Sequence, residues 1–250
     1  MAIARWALAS GVPPDHLRIL LDRQGTIDAV GGLSADTADL LQVREALGWL
    51  RREAGKDDLV IVSFSGHGAR AEDDNGDESD GWDELFVLRD TIAGAEAETA
   101  LRDDELASFV ARIPSERVVL LLDTCFSGGA EEGGRTVSTT GQTEGVLRES
   151  AEGERWTDLA SSSTIILAAA GEGQVARESE VLQHGVFTHF FLEGVTGEAD
   201  GDRDGRVTVR EVAEYVRLEV DAFVFSWLSV HQQPVLTGRG DPSIVLARTP

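Results

Sequence analysis

The apolar residues of this 250-residue chain follow two habits, short unbroken runs and stripes at helical spacing. Two runs dominate: Val118-Val119-Leu120-Leu121-Leu122, bounded by Arg117 and Asp123, and Leu59-Val60-Ile61-Val62-Ser63-Phe64. Runs of this kind predict strands buried on both faces of a parallel sheet. Residues 164–170 form a third such run, and 17–21 and 84–88 predict shorter strands. Helical spacing covers residues 3–10, closed by Gly11 and the Val12-Pro13-Pro14 turn. It returns over 35–54, where Leu40, Leu41, Val43, Leu47 and Leu50 make one stripe and Ser34 or Thr37 is the expected cap. Further helices are predicted from an Asp103 cap to residue 111, over 187–195, where the aromatic residues read as core, and over 210–225. Residues 233–238 and 243–247 predict a closing hairpin or edge strands. Helix and strand succeed one another in the order that builds a parallel sheet, so the fold class is α/β. Residues 70–84, almost all acidic or small, read as a mobile or cation-ordered loop, and about 128–161 as a long loop. With no internal repeat and no boundary, 1–250 reads as a single domain.

Composition narrows the class of function. A net charge of −23 argues against nucleic acid and anionic membrane as partners. Lys56 is the only lysine, so the cationic side chains are otherwise arginine. A single cysteine excludes an internal disulfide framework and a multi-cysteine zinc site. No apolar stretch approaches the roughly 20 residues that span a bilayer, and Met1 to Trp6 lack a signal-peptide layout. The expected setting is a reducing cytoplasm, where a thiol stays available.

Both dominant runs end in chemistry. Val118–Leu122 leads into Asp123-Thr124-Cys125-Phe126-Ser127-Gly128-Gly129, and Leu59–Phe64 into Ser65-Gly66-His67-Gly68. The carboxyl edge of an open parallel sheet is where ligands bind. A lone cysteine is ordinarily an inert core residue, but Cys125 sits past its apolar run at a loop start. Thiolate is the attacking species, and an imidazole partner takes the proton. Among five histidines, only His67 has glycine on both sides, and the backbone amides of Gly68 and Cys125 are candidate oxyanion donors. A phosphatase loop would need arginine six residues after the cysteine, where Glu131 stands. There is no second cysteine for a redox pair and no Gly-x-Ser-x-Gly elbow.

Ser65-Gly66-His67-Gly68 and Asp123-Thr124-Cys125-Phe126-Ser127-Gly128 resemble the two signature motifs of the caspase-like cysteine peptidases, in particular the metacaspase and bacterial branch. Gly185-Val186-Phe187-Thr188 and Gln233-Pro234 resemble that branch as well. The resemblance implies a three-layer α/β sandwich around a six-stranded, mostly parallel sheet, with a Cys–His dyad that hydrolyses peptide bonds. It implies cleavage after arginine or lysine, with Asp123 and Ser65 at positions that form the basic-selective pocket; an arginine can pair bidentately with such a carboxylate. It implies a polypeptide substrate and no cofactor for the chemistry itself. The loop Glu72 to Glu84, with Asp83, resembles one near which metacaspases hold calcium. Independently, Asp200-Gly201-Asp202-Arg203-Asp204-Gly205 through Glu211 fits the EF-hand pattern, making Asp200, Asp202, Asp204 and Glu211 candidate Ca²⁺ ligands. Arg135, Arg148 and Arg155 mark a candidate self-cleavage segment.

The family's central strand ahead of its first helix has no counterpart here, which implies a gap in the sheet and the loss of one acidic pocket residue. The rival reading is therefore a catalytically inactive relative that binds a partner or calcium through its acidic loops.

Overall fold

The computed structural model describes residues 1–22, 33–76, 81–124, 163–171, 174–182 and 184–249. The amino-terminal part runs α1 (Ala2–Ala9), β1 (Leu20–Leu21), β2 (Asp36–Thr37), α2 (Leu40–Glu53) and β3 (Leu59–Ser65). Next come β4 (His67–Glu72), β5 (Trp82–Val87), α3 (Glu96–Thr99), β6 (Leu101–Arg102), α4 (Asp103–Val110) and β7 (Arg117–Asp123). Beyond residue 162 are β8 (Thr164–Ala168), β9 (Glu178–Ser179), β10 (His184–Gly185), α5 (Val186–Glu193), β11 (Arg206–Thr208) and α6 (Val209–Leu228). The chain closes with β12 (Val235–Gly238) and β13 (Val245–Arg248).

The central sheet has the order β12-β8-β7-β3, with β3, β7 and β8 parallel and β12 antiparallel at one edge. Because side chains alternate across a strand, β7 and β8 feed two cores. Val119, Leu121, Ile165 and Leu167 pack with Trp6 of α1, Phe187 and Phe191 of α5 and the valine stripe Val212, Val216, Val220 and Val224 of α6. Val118, Leu120, Leu122 and Ile166 face the other way, onto Leu47 of α2 and Leu106 and Val110 of α4. This is the three-layer sandwich the sequence implies. Each fully buried aliphatic side chain stabilises it by about 1.5–3 kcal/mol.

The two dominant runs meet different fates. Residues 118–122 are buried throughout, whereas in β3 only Val60 is buried. Among the described residues the sheet ends at β3 and holds four strands rather than six. A cavity of about 850 Å³ opens along that edge, walled by Ile3 of α1, Leu20, Leu21, Leu59 and Ile61. An apolar run encodes two covered faces, but the edge is a matter of which strand lies alongside.

Local signals shifted several boundaries. The predicted 17–21 strand shrinks to Leu20–Leu21, paired in parallel with Asp36–Thr37. Helix α2 starts late because Asp39 is its cap, accepting from the Gln42 amide, while Thr37 donates its hydroxyl to Asp39. The two closing strands pair apart from one another, β12 with β8 and β13 with β11. Both ends of the supposed loop 70–84 are strand, residues 70–72 in β4 and 82–84 in β5, which form an antiparallel pair joined on its far side by β6.

That small sheet buries charge. Arg70 pairs with Glu84 at 3.1 Å, and Arg102 with Asp83, while Arg102 also reaches Asp74 at 3.2 Å. Asp103 is not the cap of α4 but its first residue, and it is buried. Burial, aided by the nearby Glu84 charge, pushes its carboxyl up to about 8.

Two measurements check this architecture. In urea denaturation, Leu120→Ala is expected to lose about 3 kcal/mol, and Leu59→Ala, on the half-open strand, under about 1.5 kcal/mol. The Asp103 carboxyl is raised on folding, so its contribution is fully present below the ordinary Asp value and is lost as pH rises through about 8. Asp103→Asn should flatten that part of the stability–pH profile; an unchanged slope would contradict it.

Candidate active site

Backbone pairing sets the site. β3 and β7 run in parallel register from Leu59↔Arg117 to Ser65↔Asp123, and the Gly66 amide extends the ladder by donating to the Asp123 carbonyl at 3.2 Å. His67 and Cys125 therefore each follow an aligned pair by two residues. His67 is exposed and opens β4 opposite Val87, with Gly68 next, opposite Phe86. The imidazole thus stands at a junction between two sheets rather than in a free loop. Phe86 holds that junction by packing edge-on against Phe64, ring centroids 4.8 Å apart. Space is tight at Gly66, where a side-chain carbon would come 2.9 Å from the Phe64 ring and force that ring to shift.

Ser65 and Asp123, aligned across the ladder, share a face of the sheet. Asp123 is buried at the sheet's carboxyl edge, and the Thr188 hydroxyl, in the first turn of α5, donates to its Oδ2 at 2.5 Å. Gly185, the residue capping α5, approaches so closely that any side chain would overlap the Asp123 carboxylate. Ser65, Gly185 and Thr188 line the end of the 850 Å³ cavity. The structure thus brings the two predicted pocket residues together and adds two more.

Gln232 buttresses the far side. Fully buried, it donates from Nε2 to the Ala169 carbonyl and accepts the Arg177 amide on Oε1, both at 2.9 Å. The Arg177 carbonyl in turn accepts from the Val186 amide at 2.8 Å, linking this clamp to the start of α5. Sequence reasoning missed Gln232, because a single glutamine carries no pattern. It met Gly185 and Thr188 only as part of a family resemblance.

The acidic turn before α6 divides the predicted Ca²⁺ ligands. Asp200, Asp202 and Asp204 bring carboxylate oxygens within 4.8 Å of one another. Arg203 and Gly205 have φ of 61° and 80°, and the Asp204 and Gly205 amides donate to Asp200. Glu211 does not join them. Its Oε2 accepts from the Thr208 amide at 2.8 Å and hydroxyl at 2.7 Å, completing the capping box that starts α6. The spacing of the pattern fits, but the twelfth-position carboxylate serves the helix. Asp83 likewise is buried and paired with Arg102.

Cys125 and Arg135, Arg148 and Arg155 lie outside the described residues. No helix among the described residues is long and apolar enough to cross a membrane.

Known metacaspases and a solved structure are similar to this chain. Over 126 residues, half of this chain, it is 34% identical to metacaspase-1B of Aspergillus terreus, covering 31% of that protein. Metacaspase-1 of Schizosaccharomyces pombe is 35% identical over 108 residues, 42% of this chain and 23% of that one. The chain thus spans roughly a quarter to a third of the length of these curated relatives. A crystal structure of a Geobacter sulfurreducens protein shares the fold, with a TM-score of 0.51 at 20% identity, covering 84% of this chain and 79% of that one. The family model for the caspase domain matches residues 34–239, from before α2 through β12, and the chain therefore belongs to the caspase domain family.

Proposed function

We propose that this chain is a cysteine endopeptidase that cleaves polypeptides after arginine or lysine. Cys125, as thiolate, attacks the scissile carbonyl carbon; His67 takes the thiol proton and delivers it to the leaving amine. The Gly68 and Cys125 amides stabilise the oxyanion, and water then hydrolyses the acyl-enzyme, releasing the acid and restoring the thiol. Asp123 and Ser65 receive the cationic side chain before the cut. The observation that carries this reading is the Ser65↔Asp123 register, which aligns the two motifs at one sheet edge with His67 exposed beside it.

Calcium enters the reading as a regulator, held by Asp200, Asp202 and Asp204 with backbone oxygens and water completing the shell. With Glu211 engaged elsewhere, the site has fewer charged donors than a full EF-hand loop and so a weaker hold on the ion.

Arginyl and aspartyl fluorogenic peptides separate the outcomes. Wild type is expected to turn over the arginyl peptide in preference to the aspartyl one, and Cys125→Ala to lose that turnover by at least about 10³-fold. Absence of turnover in the wild type, with and without calcium, would favour the inactive binding module. In a thermal melt, calcium should raise the midpoint of wild type and not of Asp202→Asn; an equal shift in both removes the calcium assignment.

A further inference from the structure

Bidentate recognition of an arginine requires that the carboxylate plane be fixed before the guanidinium arrives. A rotating carboxylate would forfeit one of the two parallel hydrogen bonds or lose entropy on binding. A lysine ammonium, a point charge with rotatable donors, is far less demanding of that plane. The surroundings of Asp123 meet the stricter requirement. Thr188 donates its hydroxyl to Oδ2, and the carboxylate occupies the space that a side chain at position 185 would fill, a place only glycine leaves open. Both residues belong to the start of α5, whose first turn presents the positive end of the helix dipole to the anion. Helix α5 is itself anchored by Phe187 and Phe191 in the core, so the clamp rests on a rigid element.

We infer that Thr188, set against Gly185, is a positioning residue that fixes the Asp123 carboxylate and thereby tilts selectivity from lysine toward arginine. This rests on the proposed role of Asp123 in the substrate pocket. Thr188 does not touch the reacting atoms, and its effect is on binding of the side chain before the cut. An interaction made equally in ground and transition states appears in KM, not in kcat.

The test compares arginyl and lysyl fluorogenic peptides on wild type, Thr188→Val, Thr188→Ser and Asp123→Asn. Valine keeps the shape of threonine and removes the donor. Thr188→Val is expected to raise KM for the arginyl peptide about tenfold, with kcat held within about twofold and a smaller rise for lysyl, so that the arginine-to-lysine preference shrinks. Thr188→Ser, which restores the hydroxyl, should recover the preference, and thermal midpoints report that each variant is folded. Equal losses for both peptides, a loss confined to kcat, or no rescue by serine would overturn the inference. If Asp123→Asn raises the arginyl KM while Thr188→Val does not, the inference fails and the pocket reading survives. If Asp123→Asn leaves the arginyl KM unchanged, the pocket reading itself fails and takes this inference with it.

Discussion

The parallel pairing of β3 with β7 is the constraint on which the rest depends. Seven aligned residue pairs bring two segments separated by more than 50 positions to a common end, and the Gly66 amide carries the ladder one step further. Parallel strands need a long crossover, and here the crossover carries the small β4–β5–β6 sheet and α4, which cover one face of the pair. The described residues of the candidate site inherit their positions from this ladder: Ser65 beside Asp123, His67 past the end of one strand, and Thr124 past the end of the other. A slip of one residue would turn Asp123 to the opposite face, away from Thr188 and Gly185.

Much of this was legible in the sequence. Val118–Leu122 reads as a strand buried on both faces, which it is, and the residues that follow it named the chemistry. What was not legible has physical causes. The runs at 59–64 and 118–122 look alike, yet one is half exposed, because edge or centre is decided by neighbours distant in sequence. Acidic residues misled in a consistent way. Asp83 and Glu84 lie in a stretch that reads as a mobile or cation-ordered loop and Asp103 reads as a helix cap, yet all three are buried, two against arginines and one holding its proton well above the usual carboxylate range. Sequence shows the charge and not its partner.

Glu211 shows how one residue can satisfy two patterns at once. The same glutamate is the twelfth position of a cation-loop pattern and the third helical position of a capping box, and here the helix claims it. Thr208 and Glu211 satisfy amide donors at the start of a 20-residue helix whose valine stripe carries much of one core. The three aspartates that remain still shape the turn through backbone amides, which also explains how Arg203 is held at positive φ.

The open side of β3 has a consequence for helix α1. A strand rich in valine and isoleucine, with no strand beside its outer edge among the described residues, is a template on which foreign chains can stack. Here Ile3 and Ala7 of α1 lean over it, and Trp6 pins the helix to Phe191 with ring centroids 5.6 Å apart. The eight residues of α1 thus stand as a guard rail beside the open edge of β3.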